Sequence, residues 1–193
     1  MAGFIKGINI TTILRRIKYI LSEFKIWFCN FIIAYIPFHF IRLAYYKSIM
    51  NFKIGKGSSI HLGCHFNSPG LFSIKENSTI NQFCHIDNRG GIDIGSNVSV
   101  SPKVSLITAS HDLNDEGARG VTGAIIIEDY VFIGYNALVL KSCTLKTGSV
   151  LGAMSLLTSS TEPYGIYFGA PATLKKIRNK NINYSGSYKR LFH

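Results

Sequence analysis

Residues 127–161 decide the fold, and in groups of six they read IEDYVF IGYNAL VLKSCT LKTGSV LGAMSL LTSST. An aliphatic residue opens each group, and a smaller residue follows four places later. The aliphatic positions are Ile127, Ile133, Val139, Leu145, Leu151 and Leu157, and the smaller ones are Val131, Ala137, Cys143, Ser149, Ser155 and Thr161. A fixed internal period is the signature of a solenoid, whose stacked repeats bury one continuous core.

The same period runs upstream with one change of phase. It opens at Ile54 and Ile60, continues through Ile74, Ile80, Ile86 and Ile92, shifts by two residues, and resumes at Ile94, Val100 and Leu106. Each unit predicts one short strand and one corner, so three units would close a triangular coil of about 18 residues. Three places after the aliphatic residue the chain often has Gly or Asn, which tolerate a left-handed backbone. These positions are Gly57, Gly63, Asn77, Asn97, Asn136 and Gly148.

Four cysteines are present, and three of them, Cys64, Cys84 and Cys143, fall on the small interior position of the repeat. We therefore expect them to pack in the core like small hydrophobic residues. With no CxxC spacing and no leader cleavage site, the sequence predicts a reduced, cytoplasmic protein.

The net charge of +11 is concentrated at the two ends of the chain. Residues 1–53 carry eight bases and one acid, residues 171–193 carry six bases and no acid, and the middle carries seven bases and nine acids. Basic ends around a near-neutral body argue against a nucleic-acid groove through the body. They suit contact with an anionic membrane at one end and a phosphorylated ligand at the other.

The N-terminal segment, residues 1–53, alternates bases with apolar residues at helical spacing, which predicts two helices over residues 5–48. Its apolar run, residues 26–36, is shorter than the roughly 20 residues of a spanning helix. Two interpretations stand equally: peripheral attachment to the inner face of the plasma membrane, or a cap over the open end of the solenoid. We expect a β-helix over 54–161 and an extension with a basic tail over 162–193.

The pattern is interrupted between Ile107 and Ala124, where the residues are rich in Gly, Asp and Asn. This stretch predicts a loop extruded from a regular wall, and loops on rigid scaffolds concentrate function. It contains His111, in the sequence Thr108-Ala109-Ser110-His111-Asp112. A histidine in such a polar loop is a candidate general base, because histidine exchanges protons near neutral pH.

The repeat, the loop with His111, the segment Val131-Phe132-Ile133-Gly134 and the late Gly169-Ala170-Pro171-Ala172 resemble the hexapeptide-repeat acyltransferases. The resemblance covers about residues 54–178 and is nearest to the maltose and galactoside O-acetyltransferases, including those that modify surface polysaccharides. It implies a mainly β protein, a left-handed parallel β-helix that assembles as a homotrimer with sites between subunits. It also implies acetyl-CoA as co-substrate, no metal, and a sugar or glycan precursor as acceptor.

The resemblance assigns roles to further residues. His111 and Asn81 would be catalytic, with Asn81 binding the acceptor or the developing oxyanion. Asp87, Asp112 and Phe132 would contact the acceptor, and either aspartate could orient His111; the family usually has tryptophan at the position of Phe132. The residues that would contact coenzyme A are Gly134, Gly152, Ala153, Ser155, Thr158, Lys175, Lys176 and Arg178.

Three other functions fit parts of the sequence. Trimeric β-helix carbonic anhydrases bind zinc through histidines, and this chain has His61, His65, His85 and His111, but its loop lacks a second closely spaced histidine. A nucleotide-sugar N-acetyltransferase would share the fold, but residues 1–53 lack the Gly-rich turn of a nucleotide-binding domain. A non-catalytic scaffold would have no need of the loop that carries His111.

Overall fold

A computed structural model describes residues 10–187. Three parallel sheets, which we call first, second and third in chain order, wrap around one core. The first contains β1 Lys53–Ile54, β4 Phe72–Ile74, β7 Ile92–Ile94, β12 Ile125–Ile127 and β15 Thr144–Leu145. The second contains β2 Ser59–Ile60, β5 Thr79–Ile80, β8 Ser99–Val100, β13 Phe132–Ile133, β16 Val150–Leu151, β18 Gly165–Gly169 and, antiparallel to β18, β19 Ala172–Ile177. The third contains β3 His65–Phe66, β6 His85–Asp87, β9 Ser105–Ile107, β14 Leu138–Leu140 and β17 Leu156–Leu157.

From β1 to β18, consecutive strands of these three sheets belong to different sheets, so the chain forms five complete coils, and β18 begins a sixth. This mainly β parallel solenoid with N-terminal helices confirms the predicted fold class and is consistent with a left-handed β-helix. The period also holds in the core, where the aliphatic position of each unit is buried, except that Ile54 in the first unit is only partly buried.

The length of a coil differs along the solenoid. Ile127 pairs with Leu145, 18 residues later, as predicted. Ile54, however, pairs with Ile74, and Ile74 with Ile94, so the first two coils hold 20 residues each. The additional residues precede β4 and β7, which explains the change of phase. The interpretation of Ile92 as the start of its own unit is wrong, because Ile92 and Ile94 are both buried in β7.

The corners adopt the left-handed backbone that the sequence predicts. Asn77, Asn97 and Asn136 have φ between 54° and 57°, and Gly57, Gly63 and Gly148 between 68° and 76°. Residues without this preference do the same at equivalent positions, namely Phe83, Lys103, Tyr130, Ser142 and Met154. The corner conformation therefore belongs to the position in the coil, and stacking of the neighbouring coils imposes it whichever residue is present.

Two helices and a short 3-10 turn cover the N-terminal end of the solenoid: α1 Ile10–Phe31, the turn Ile33–Tyr35, and α2 His39–Ser48. The amide of Asn30 at the end of α1 bonds both backbone groups of Phe66, at 2.8 and 3.0 Å. The buried guanidinium of Arg42 in α2 donates to the carbonyl of Ile60 at 3.2 Å. These contacts describe a cap over the first coil; residues 5–9 of the predicted helical range lie outside the described residues.

Most of α1 lies away from this cap. Its apolar side chains are largely exposed from residue 13 to residue 27, at Ile13, Leu14, Ile17, Tyr19, Ile20, Leu21, Phe24 and Trp27. Among residues 10–187, no helix has both the length and the hydropathy that crossing a membrane requires. The helix therefore presents an apolar surface mixed with four bases and one acid, and the body of this chain does not cover it.

Candidate active site

The interruption of the repeat is an antiparallel hairpin that we call the arm, formed by β10 Ala109–His111 and β11 Gly120–Thr122. It leaves the solenoid after β9 of the third sheet and returns before β12 of the first sheet, so it projects from the corner between them. Its tip is held by Asp112, which accepts from the backbone N–H of Asn114, and by Asp115, which accepts from that of Gly117. The predicted extrusion is thus present, and hydrogen bonds within its tip stabilise it.

The position of His111 within the arm determines which tautomer its neutral ring adopts. Its Nδ1 lies 2.6 Å from the carbonyl oxygen of Ala118. A carbonyl only accepts hydrogen bonds, so Nδ1 carries the proton and Nε2 is the basic atom of the neutral ring. His111 is exposed, and this geometry presents Nε2 as a proton acceptor. The orienting group is a main-chain carbonyl, which sequence reasoning missed because a carbonyl has no sequence signal.

A cleft of about 310 Å³ lies beside His111 and is lined by the arm and by Arg89. The guanidinium of Arg89 donates to both carboxylate oxygens of the buried Asp87, at 2.8 and 2.9 Å. Burial alone would raise the pKa of Asp87, but the bonds from Arg89 outweigh it and hold that pKa below its ordinary value. Asp87 therefore acts on the cleft only by holding Arg89 in place. Arg89 was not predicted as a site residue, although the Asp-x-Arg spacing at the end of a strand could have indicated it.

Neither aspartate is the group bonded to the His111 ring nitrogen. Asp87 pairs with Arg89, and Asp112 turns back to the tip of the arm. Within the described chain, the group bonded to Nδ1 of His111 is the carbonyl of Ala118, and neither aspartate takes that place.

Asn81 and Phe132 lie together, away from His111, beside a groove of about 410 Å³ on the outer face of the second sheet. The Asn81 side chain donates from Nδ2 to the carbonyl of Val100 at 2.8 Å. This bond uses one of its two N–H groups. Asn81 follows β5 of the second sheet, whereas His111 projects beyond β9 of the third sheet. Within one chain, the two predicted catalytic residues therefore lie at different corners of the three-sided solenoid.

The residues predicted to meet the coenzyme divide into packed and accessible groups. Gly134, Gly152 and Ser155 are buried, and the N–H groups of the two glycines bond the next coil. A Cβ at Gly134 would approach the backbone nitrogen of Ala153 to 2.4 Å, so this close contact between coils requires glycine. Ala153 and Thr158 are exposed. Thr158 shares a cleft of about 200 Å³ with Lys141 and the base of the arm.

The three bases after Pro171 also differ from one another. Lys175 and Lys176 are exposed on β19, and an anion could approach both side chains. Arg178 is half-buried, donates to the carbonyl of Gly148 at 3.2 Å, and lies 6.0 Å from the ring centre of Tyr184. Its guanidinium is thus already engaged with the body and with the C-terminal segment.

The other reactive side chains fit structural positions. Within residues 10–187, no three or more His, Cys, Asp or Glu side chains are grouped as a metal site would require. His65 and His85 stack with ring centres 5.2 Å apart. The cysteines of the repeat are buried, and burial raises the pKa of the Cys143 thiol, which suits packing rather than nucleophilic chemistry.

No protein-family model matches the chain. A Schizosaccharomyces pombe protein provisionally assigned as an acetyltransferase is 38% identical over 93 residues, 46% of this chain and 45% of that protein. The galactoside O-acetyltransferase of Lactococcus lactis is 33% identical over 89 residues, 44% of this chain and 42% of the enzyme. The matches thus span less than half the length of each relative.

Solved structures share the fold over more of the chain. A hexapeptide-repeat acetyltransferase of Vibrio cholerae, in complex with acetyl coenzyme A, has a TM-score of 0.76 at 23% identity, covering 82% of this chain and 87% of its own. A maltose O-acetyltransferase of Clostridium difficile has a TM-score of 0.75 at 21% identity, covering 87% and 89%. In its repeat, its fold and these partial sequence matches, the chain is similar to the hexapeptide-repeat acetyltransferases.

Proposed function

We propose that this protein is an acetyl-CoA-dependent O-acetyltransferase that moves an acetyl group to a hydroxyl of a sugar. The observation that carries the proposal is the fixed tautomer of His111, whose Nδ1 is bonded to Ala118 while the ring borders an open cleft. A base so placed suits removal of a hydroxyl proton. The similarity to galactoside and maltose O-acetyltransferases supports the choice of a sugar.

The proposed reaction needs no covalent enzyme intermediate. Acetyl-CoA supplies the acetyl group as a thioester. Nε2 of His111 accepts the proton of the acceptor hydroxyl while its oxygen bonds to the acetyl carbon, and the carbon–sulfur bond then breaks. The proton passes from His111 to the departing sulfur, so the products are an acetate ester and a free thiol. The Ala118 carbonyl stabilises the imidazolium that forms in between.

We place the reaction between subunits of a homotrimer. His111 and Asn81 lie at different corners of one chain, so a single chain does not bring them together. In a cyclic trimer, each interface joins two different surfaces of the chain. The arm of one subunit can therefore meet the second sheet of the next subunit. Asn81 of the neighbour would then donate its remaining N–H to the acceptor or to the developing oxyanion.

The coenzyme would extend along the coils that follow the arm. Of the predicted contacts, Ala153 and Thr158 are exposed and can touch it, while the buried Gly134, Gly152 and Ser155 keep the coils closely stacked. The exposed Lys175 and Lys176 suit its phosphates. Arg178 donates to the carbonyl of Gly148 and would stabilise the backbone next to these lysines.

The proposal predicts that the purified protein releases free thiol from acetyl-CoA only when an acceptor is present. The acceptors to screen are galactosides, maltose, a lipid-linked glycan precursor and an amino sugar. A colorimetric thiol reagent measures the release of free thiol, and mass spectrometry identifies the product. An ester on a sugar hydroxyl is expected. Transfer only to the amine would instead favour an N-acetyltransferase, and no transfer to any acceptor would contradict the proposal.

We further propose that α1 rests on the inner face of the plasma membrane, where surface-polysaccharide or lipid-linked precursors could reach the enzyme. Support comes from its exposed apolar residues together with Arg15, Arg16, Lys18 and Lys25. A helix of this composition suits the interface of an anionic bilayer. The cap at the end of α1 leaves this surface accessible.

Vesicle binding should be detectable through Trp27, the single tryptophan of the chain, which is exposed in α1. With anionic vesicles we expect co-flotation and a blue shift of its emission, and both should be lost in Ile20→Glu. Leu113→Glu, which changes an equally apolar exposed residue on the arm, should bind like the wild type. If the wild type stays at the bottom of the gradient, the membrane proposal fails.

A further inference from the structure

The chain does not end at β19, because residues 178–187, which we call the tail segment, turn back across the coils of the second sheet. Arg178 bonds the carbonyl of Gly148, and Ile182 packs against the same glycine. Further along, the Tyr184 hydroxyl donates to the carbonyl of Tyr130 at 3.1 Å, and the two rings meet edge to face at 5.8 Å. The tail segment thus crosses successive coils towards the N-terminal end.

The far end of the tail segment is seated closely on the body. The Thr79 hydroxyl donates to the carbonyl of Gly186 at 2.7 Å. A Cβ on Gly186 would lie 2.6 Å from the carbonyl oxygen of Asn77 and 3.0 Å from that of Val98. Both neighbours are main-chain atoms of the coils, which cannot rotate aside. Glycine is therefore required for the tail segment to lie where it does.

In this position the tail segment makes one wall of the groove that contains Asn81. The groove has a volume of about 410 Å³, which is within the usual range for a small-molecule site. Its floor is the outer face of the second sheet, at Thr79, Ser99 and Phe132, and the wall made by the tail segment is residues 184–187. Without the tail segment, this face would be an open surface.

The groove combines the two kinds of contact that a sugar ring needs. Phe132 and Tyr184 offer aromatic surface for the apolar face of a pyranose. The side chains of Asn81, Ser99 and Ser185 and the backbone of the tail segment offer donors and acceptors for its hydroxyls. Aromatic surface with a few placed polar groups is the composition typical of small-molecule sites.

We infer that the tail segment, through Tyr184 and Gly186, forms a wall of the acceptor site and determines which glycoside the enzyme accepts. This inference rests on the proposed sugar O-acetyltransferase function and identifies the part of the chain that holds its acceptor. Tyr184 is a binding residue here, and Gly186 acts by allowing the tail segment to seat.

The test uses the full-length protein and a nitrophenyl galactopyranoside as the acceptor probe. Tyr184→Ala removes the aromatic wall, and Gly186→Val displaces the tail segment; each should raise the acceptor KM about tenfold while leaving the KM for acetyl-CoA within twofold. Tyr184→Phe keeps the ring and should stay close to wild type. Lys180→Ala changes an exposed residue of the tail segment outside the groove and serves as the matched control.

Equilibrium binding of the same probe without acetyl-CoA, followed by ligand-observed NMR, gives a second readout that needs no turnover. Loss of binding in both Tyr184→Ala and Gly186→Val, with unchanged thermal unfolding, supports the inference. If the wild type transfers acetyl groups and both variants keep its acceptor KM, the inference is wrong and the proposed function stands. If the wild type neither binds nor acetylates any acceptor of the screen, both are wrong.

Discussion

Replacing His111 by alanine is expected to lower kcat for acetyl transfer by about 10²–10⁴-fold, the usual contribution of a general base. Among the described residues that line the cleft, no other side chain accepts a proton near neutral pH, since Arg89 only donates hydrogen bonds and the hydroxyls of Ser110 and Thr122 are very weak bases. The KM for acetyl-CoA should change little. The measurement is thiol release at saturating acetyl-CoA and acceptor.

The matched control is Leu113→Ala, two residues along the arm. Leu113 is 90% exposed, so its side chain contributes little to the folded arm, and this variant should keep full activity. Thermal unfolding should be unchanged in both variants, because both side chains are exposed in the folded chain, and size-exclusion chromatography of each variant checks that the assembly is retained. A His111→Ala protein that assembles normally and retains wild-type kcat would refute the assignment of the base.

Replacing Asn81 by alanine is expected to lower kcat by about 10²-fold, the order observed when one oxyanion donor is removed. The amide has one N–H bonded to Val100 and a second that could reach a ligand. If Asn81 only stabilised the coils of the solenoid, the loss of its bond to Val100 would lower the unfolding temperature and leave kcat unchanged. Activity and thermal unfolding measured on the same preparation therefore separate the two roles.

Gln82→Ala is the control for this prediction, because it removes an adjacent amide side chain that is not among the residues lining the groove. It should match the wild type in kcat. A drop in stability without a drop in kcat for Asn81→Ala would assign the residue to the wall of the solenoid.

The repeat allowed much of the fold to be predicted, because a period of six ties each residue to one place in a coil. The buried aliphatic positions and the Gly and Asn corners follow from it. The length of the first two coils could not be predicted from the repeat. The additional residues at their corners change the phase without removing any apolar residue. Phe83, Lys103, Tyr130, Ser142 and Met154 show why corner geometry cannot be predicted from residue type alone: stacking imposes it.

The site was less predictable than the fold. His111 was identifiable because the pattern is interrupted around it, and Asn81 only because of a family resemblance. The carbonyl of Ala118 and the path of the tail segment have no sequence signal, as both depend on how the backbone folds. Residues 179–187 show no six-residue period, so nothing in them predicts that Gly186 returns to contact Thr79.

We expect one active site to take His111 from one subunit and Asn81 from its neighbour. Mixed trimers of His111→Ala and Asn81→Ala, produced by co-expression with two different tags, test it directly through thiol release. Each variant alone is nearly inactive. Random mixing should restore about a quarter of all sites, which is one of the three sites in each doubly tagged trimer, because that site combines His111 of the Asn81→Ala subunit with Asn81 of the His111→Ala subunit. Activity of the doubly tagged trimers no higher than that of the single variants would contradict the claim.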